Sequence, residues 1–132
     1  MVNAPIHDVL IRIKNAYMAR RTELVGVPHS QMKEKVLHLL REYGFITNYQ
    51  VIKEDKKTFL TIHLREVMDK TQDIPVVKFF SKPGRKRYVS YKNLKPVARG
   101  QGIGIISTSK WVLATHVAKK EKVGGELIAE IY

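Results

Sequence analysis

From Ile74 to Lys120 the chain carries no acidic residue and eleven basic ones: Lys78, Lys82, Arg85, Lys86, Arg87, Lys92, Lys95, Arg99, Lys110, Lys119 and Lys120. Unpaired cations are not buried, so any fold must keep these side chains at its surface. Their mutual repulsion then asks for a polyanion nearby. A solvated face normally mixes both signs, and one sign over such a stretch reads as a phosphate-facing surface. Residues 1–75 are nearly balanced, with 12 basic and 9 acidic residues, whereas residues 76–132 hold 12 and 3. For the net charge of +12, nucleic acid is the first candidate partner and an anionic membrane surface the second. The bland alternative is a merely soluble basic protein.

The texture of the chain changes at the same place. Ile6, Leu10, Ile13 and Tyr17 fall on one helical stripe, predicting a helix over residues 6–20. A short strand is expected over residues 23–27. Ser30 is a plausible N-cap for a second helix ending near Tyr43, with Met32, Val36, Leu39, Leu40 and Tyr43 as its buried stripe and Gly44 as its stop. A hairpin follows, turning at residues 54–57 and returning over residues 58–65. Residues 66–73 are polar and read as a connector. Beyond Pro75 short β-rich runs over residues 76–80, 86–91, 103–107 and 126–132 alternate with turns, and residues 100–104 read as a tight, sterically open turn before a strand. A short helix is expected near residues 115–122. The fold class expected is α+β, with two domains. Residues 1–73 form an α/β unit of two helices on a small sheet. Residues 74–132 form a mainly β, strongly basic unit with a short helix.

Three motifs carry chemistry. In Lys82-Pro83-Gly84-Arg85-Lys86-Arg87-Tyr88, Pro and Gly suit a type II turn that feeds three cations and an aromatic into a strand. Alternation would place Arg85, Arg87 and Val89 on one face and Lys86, Tyr88 and Ser90 on the other. Cations neutralise phosphates, and Tyr88 can stack on a base or pack on a sugar. The competing reading is a solvated edge strand whose lysines deter aggregation. Ser107-Thr108-Ser109-Lys110 offers three short donors and acceptors suited to base edges and sugar hydroxyls, with Lys110 for a phosphate. An ordinary Ser/Thr loop is the alternative. Gly124-Gly125 lets a backbone approach a partner closely, and Glu126 beside it is odd in so basic a region. Glu126 either orients a neighbouring cation, accepts from a base amino group, or is a strand-start charge on a rim.

Other classes are disfavoured. Gly100-Gln101-Gly102-Ile103-Gly104 lacks the third glycine of a dinucleotide fingerprint and any Walker Lys-Ser/Thr. The S-x-x-K spelling at residues 107–110 lacks the companion S-D-N and K-T-G of serine acyl-transferring enzymes. His7, His29, His38, His63 and His116 form no close pair, so no metal site is expected. No cofactor, small-molecule substrate or catalytic residue is expected either. The absence of cysteine excludes disulfides and fits a reducing cytosol. No run approaches a membrane helix, no signal peptide is expected, and the cations cluster on turns rather than on an amphipathic helix. The helix at residues 30–43 is nearly charge-balanced, which argues against a DNA recognition helix.

Four blocks in this order resemble the bacterial form of small-subunit ribosomal protein S-eight along the whole chain. They are residues 5–15 (PIHDVLIRIKN), residues 27–45, residues 81–87 (SKPGRKR), and residues 102–110 (GIGIISTSK) followed by Gly124-Gly125-Glu126. The resemblance implies a two-domain, non-enzymatic protein of the ribosome, in the cytoplasm or a plastid. It further implies direct binding to an irregular helix in the central domain of small-subunit ribosomal RNA, a role in subunit assembly, and neighbouring ribosomal proteins as partners. Ser107, Thr108 and Ser109 match the residues the family places on bases, and Glu126 and Tyr88 match positions near the RNA. Ser30 and Lys33 become candidate backbone contacts, with Arg12, Lys14 and Asn15 behind them. The chain departs from the family after Lys110, where a glycine commonly stands and Trp111 is found. If that position needs a positive φ, Trp111 must adopt a costlier backbone or the loop must differ. The indole is expected to pack between the domains rather than stack on RNA.

Overall fold

A computed structural model describes residues 4–66, 74–82 and 84–132, and of Arg99 the backbone alone. It divides into two compact units, Pro5–Pro75 and Val76–Tyr132 with Ala4. The architecture is α+β, as expected. The connector predicted over residues 66–73 lies, beyond Glu66, outside the described residues.

In the first unit, helix α1 spans Ala4–Met18 and buries Ile6, Val9, Leu10, Ile13, Ala16 and Tyr17. The predicted stripe lies wholly within that face. Strand β1, Glu23–Pro28, leads to helix α2, Gln31–Glu42. Ser30 caps α2 by accepting from the Lys33 amide at 3.1 Å. The buried face of α2 is Lys33, Val36, Leu37 and Leu40, turned from the predicted one: Met32, Leu39 and Tyr43 are only half-buried. The shift has a physical cause. Lys33 occupies a core position because its Nζ donates to the Pro28 carbonyl at 3.1 Å and pairs with Asp8 at 2.7 Å. Strands β2, Asn48–Glu54, and β3, Lys57–His63, complete an antiparallel sheet ordered β1-β3-β2. The buried Tyr17 hydroxyl donates to the Phe45 carbonyl and accepts from the Arg65 amide, tying α1 to both ends of this hairpin.

The second unit is built on one long strand. Strands β4 (Val77–Phe79), β5 (Tyr88–Val89), β6 (Ile103–Thr108) and β7 (Trp111–Ala114) precede helix α3, Thr115–Lys120, and strand β8, Gly125–Ile131. The sheet runs β4-β8-β6-β7, with β5 also paired to β8. Every pair is antiparallel. Leu94, Ile106 and Ala118 form a buried cluster, with Val89, Tyr91 and Leu113 packed against it. One expectation fails here and one strand went unanticipated. The strand predicted over residues 86–91 is only Tyr88–Val89, and β7 was not foreseen. The turn expected at residues 100–104 ahead of a strand is found, as a 3-10 turn at Ala98–Gly100 leading into β6.

Candidate nucleic-acid interface

Directly opposed residues of an antiparallel pair share a face of the sheet. Tyr88 is opposite Glu126, Glu126 is opposite Ser107, and Ser107 is opposite Val112. The register therefore sets Tyr88, Glu126 and Ser107 in one row across β5, β8 and β6, although the sequence separates them widely. Tyr88 is 70% exposed, Ser107 is half-buried, and Glu126 is only 6% exposed. Glu126 is thus a carboxylate set into the sheet, not a charge on the rim.

Gly124 and Gly125 make that packing sterically allowed. A Cβ on Gly124 would lie 2.7 Å from the Val89 carbonyl oxygen. A Cβ on Gly125 would fall on the Ser107 carbonyl oxygen and 3.1 Å from the Thr108 Cα. The two glycines are wedged between the backbones that carry Tyr88 and Ser107.

The hydroxyl-rich segment is not a loose loop. Ser107 and Thr108 end β6, and Ser109-Lys110 is a two-residue turn into β7, closed by the pair Thr108–Trp111. The Thr108 hydroxyl donates to the Trp111 carbonyl at 2.9 Å and accepts from the Lys110 amide at 3.0 Å. Its first task is to shape the tip. Ser109 and Lys110 are exposed. Trp111 adopts φ +82°, the costlier backbone anticipated for a side chain at this point. The expectation that its indole packs away fails, since Trp111 is 61% exposed.

The basic segment also differs from a strand. The Lys82 and Arg85 backbones exchange hydrogen bonds of 3.0 and 2.9 Å, closing a tight turn in which Gly84 takes φ +81°. Arg85, Lys86 and Arg87 leave this turn as irregular chain, so the predicted alternation of their side chains does not apply. Ser81, fully buried, fixes the turn to β8. Its hydroxyl donates to the Leu127 carbonyl at 2.8 Å and accepts from the Arg87 amide at 2.9 Å. The Leu127 amide in turn donates to the Arg87 carbonyl at 2.9 Å. Lys78 and Arg87 each lie over the Phe80 ring, at 5.2 and 5.1 Å from its centroid. Lys78, Phe79, Phe80, Lys82 and Arg85–Arg87 line a concavity of about 570 Å³. Ser81, Lys78 and Phe80 were missed as site residues. The signal for Ser81 was only its place before a turn, and a serine there has no distinguishing pattern.

The remaining predicted residues belong to the first unit. Asp8 joins Lys33 at 2.7 Å and the Arg12 Nε at 3.1 Å, and Ser30 is one hydrogen bond from the Lys33 amide. Partial burial pushes the Asp8 carboxyl up, but hydrogen bonds and charge from Lys33 and Arg12 outweigh it and hold the group below the usual carboxylate range. The Lys33 ammonium is engaged inside the unit. Lys14 is half-buried and Asn15 exposed, both on α1. Among the described residues no cluster of His, Asp and Glu fits a metal ion, and no helix is long and apolar enough to cross a membrane.

Residues 4–132 match the family model described as Ribosomal protein S8. The chain belongs to the ribosomal protein S8 family. It is 44% identical over 131 residues to the small ribosomal subunit protein uS8 of Dictyoglomus thermophilum, covering 99% of this chain and 98% of that protein. The uS8 protein of Lactobacillus johnsonii is 42% identical over 128 residues, covering 97% and 96%. That of Syntrophobacter fumaroxidans is 38% identical, covering 99% and 98%. The S8 family consists of structural proteins of the small ribosomal subunit, not of enzymes. The hydroxyl tip, the Glu126 row and the basic turn are therefore features of a ribosomal protein, and Ser107 and Lys110 are not an acyl-transfer pair.

Proposed function

We propose that this chain binds directly to the central domain of small-subunit ribosomal RNA and supports its folding during subunit assembly. The observation that carries the reading is the row Tyr88–Glu126–Ser107, continued by the Thr108–Lys110 tip and flanked by the acid-free basic turn. A regular A-form major groove is too narrow for side chains, so short hydroxyls and a set-in carboxylate suit bases displayed by an irregular helix. Arg85, Lys86, Arg87 and Lys110 supply phosphate contacts and most of the affinity, while Ser107, Ser109 and Glu126 discriminate. Gly124 and Gly125 hold the row together. In the first unit Ser30, Arg12, Lys14 and Asn15 contribute backbone contacts, and Lys33 holds the start of α2 in place. Neighbouring ribosomal proteins complete its surroundings in the subunit.

The test is a gel-shift titration at two salt concentrations with the central-domain helix and a regular duplex of equal length. Tight binding to the irregular helix that survives the salt at which the duplex is released supports the reading. Replacing Ser107, Thr108 and Ser109 together by alanine removes that preference. Lys86→Ala weakens binding to both RNAs and lowers the salt slope by about one. Equal, salt-sensitive binding to both RNAs by the unaltered protein refutes it.

A further inference from the structure

Trp111 is placed at a backbone cost. Its φ of +82° lies in the left-handed region that only glycine enters freely. Strain of this kind persists where the surroundings enforce it, and it concentrates at binding sites. Here the enforcement is visible: the Trp111 carbonyl accepts the Thr108 hydroxyl, and the two residues pair across the turn. The residue so placed is 61% exposed. Directly before it stand Ser109 and Lys110, both exposed. One short hairpin thus presents hydroxyls, a cation and the largest aromatic surface a side chain offers.

Those three groups suit one ligand. Hydroxyls reach a base edge, an ammonium meets the adjoining phosphate, and an indole covers the face of a base that is not stacked on a neighbour. We propose that Trp111 is a base-stacking residue, its indole covering an unpaired base of the RNA that Ser107 and Ser109 contact. The inference rests on the RNA-binding reading above and adds a residue and a mode of contact to it. It gives the tip a preference for RNA with an unstacked base at this place, whatever that base is, because every base has a π-face.

Trp111 is the only tryptophan of the chain, so the emission of the full-length protein reports on this side chain alone. The central-domain helix is titrated into the protein while binding is followed independently by gel shift. Stacking quenches the emission as the complex forms. Trp111→Gly, which suits the backbone and keeps the turn, lowers affinity roughly 5- to 150-fold, the range of one base–aromatic stack. Trp111→Leu, apolar but not aromatic, loses as much, and Trp111→Phe keeps most of the affinity. Circular dichroism of each variant establishes that it is folded. Tight gel-shift binding with unchanged emission and a Trp111→Gly affinity within twofold of the parent overturns the proposal. Failure of the unaltered protein to shift the helix overturns the RNA reading and this inference with it.

Discussion

Gly125→Ala tests whether strand spacing governs the interface. The added Cβ falls on the Ser107 carbonyl oxygen, with the Ser107 carbonyl carbon at 3.0 Å and the Thr108 Cα at 3.1 Å. All three are backbone atoms, so no rotamer change relieves the contact. Reaching ordinary van der Waals separation requires β6 and β8 to part by up to about 1 Å, judged from the usual carbon–carbon spacing of ~3.5–4.0 Å. That parting occurs where Ser107 pairs with Glu126. Overpacking of this kind costs about 1–3 kcal/mol, and a weakened ladder bond adds about 1 kcal/mol. The lower entropy of an unfolded alanine offsets about 0.4–1 kcal/mol of this. The net expectation is roughly 2 kcal/mol of destabilisation. It is accompanied by loss of preference for the irregular helix, because the Ser107–Glu126 row is the part displaced. Gly26→Ala is the control, since its φ is +71° but nothing lies within 4 Å of the added Cβ. It costs about 1–2 kcal/mol through backbone strain and leaves RNA preference unchanged. Denaturant midpoints and paired gel shifts measure both. A Gly125→Ala protein with the parent's stability and RNA preference would show that the strands relax cheaply, and the argument from close approach would fall.

Ser81→Ala removes a buried hydroxyl that serves the Leu127 carbonyl and the Arg87 amide. It is expected to cost about 1–3 kcal/mol in a thermal or urea melt and to weaken RNA binding through a loosened basic turn. Unchanged stability would mean that water replaces the hydroxyl. Thr108→Val keeps the shape but removes both hydrogen bonds of the tip, whereas Thr108→Ser keeps them. RNA affinity should fall for the first and hold for the second, and equal affinities would deny Thr108 a shaping role. The lowered Asp8 pKa has a definite sign: its stabilisation is present above the ordinary carboxylate value and is lost as pH falls through the lower, folded one. The urea-midpoint gap between the parent and Asp8→Asn should therefore be full at neutral pH and shrink below about pH 4. A gap independent of pH would remove Asp8 from the acid response.

Elements whose evidence is local were legible in the sequence. The α1 stripe, the Ser30 cap and the turn at Gly84 follow from periodicity and side-chain chemistry within a few residues. Readings failed where a distant partner decides. Hydropathy kept Lys33 out of the core, but Asp8 on another helix brings it in and turns the buried face of α2 towards Leu37. The cations of residues 85–87 look like a strand, yet Ser81 and Leu127 hold the chain away from a regular ladder. The composition of the candidate interface was readable, since hydroxyls, glycines, a carboxylate and an aromatic all stand out in a basic region. Its geometry was not, because the row of Tyr88, Glu126 and Ser107 exists only through the register of three strands. The same holds for Thr108. In sequence it is one of three equivalent hydroxyls, but the turn makes it the one that shapes the tip and leaves Ser109 and Lys110 exposed beyond it. A one-residue slip of β6 against β8 would keep every residue and turn Ser107 to the opposite face. The chemistry of this surface is therefore written in residue types, but its geometry is set by the register of β5, β8 and β6, with Gly125 packed on the Ser107 backbone.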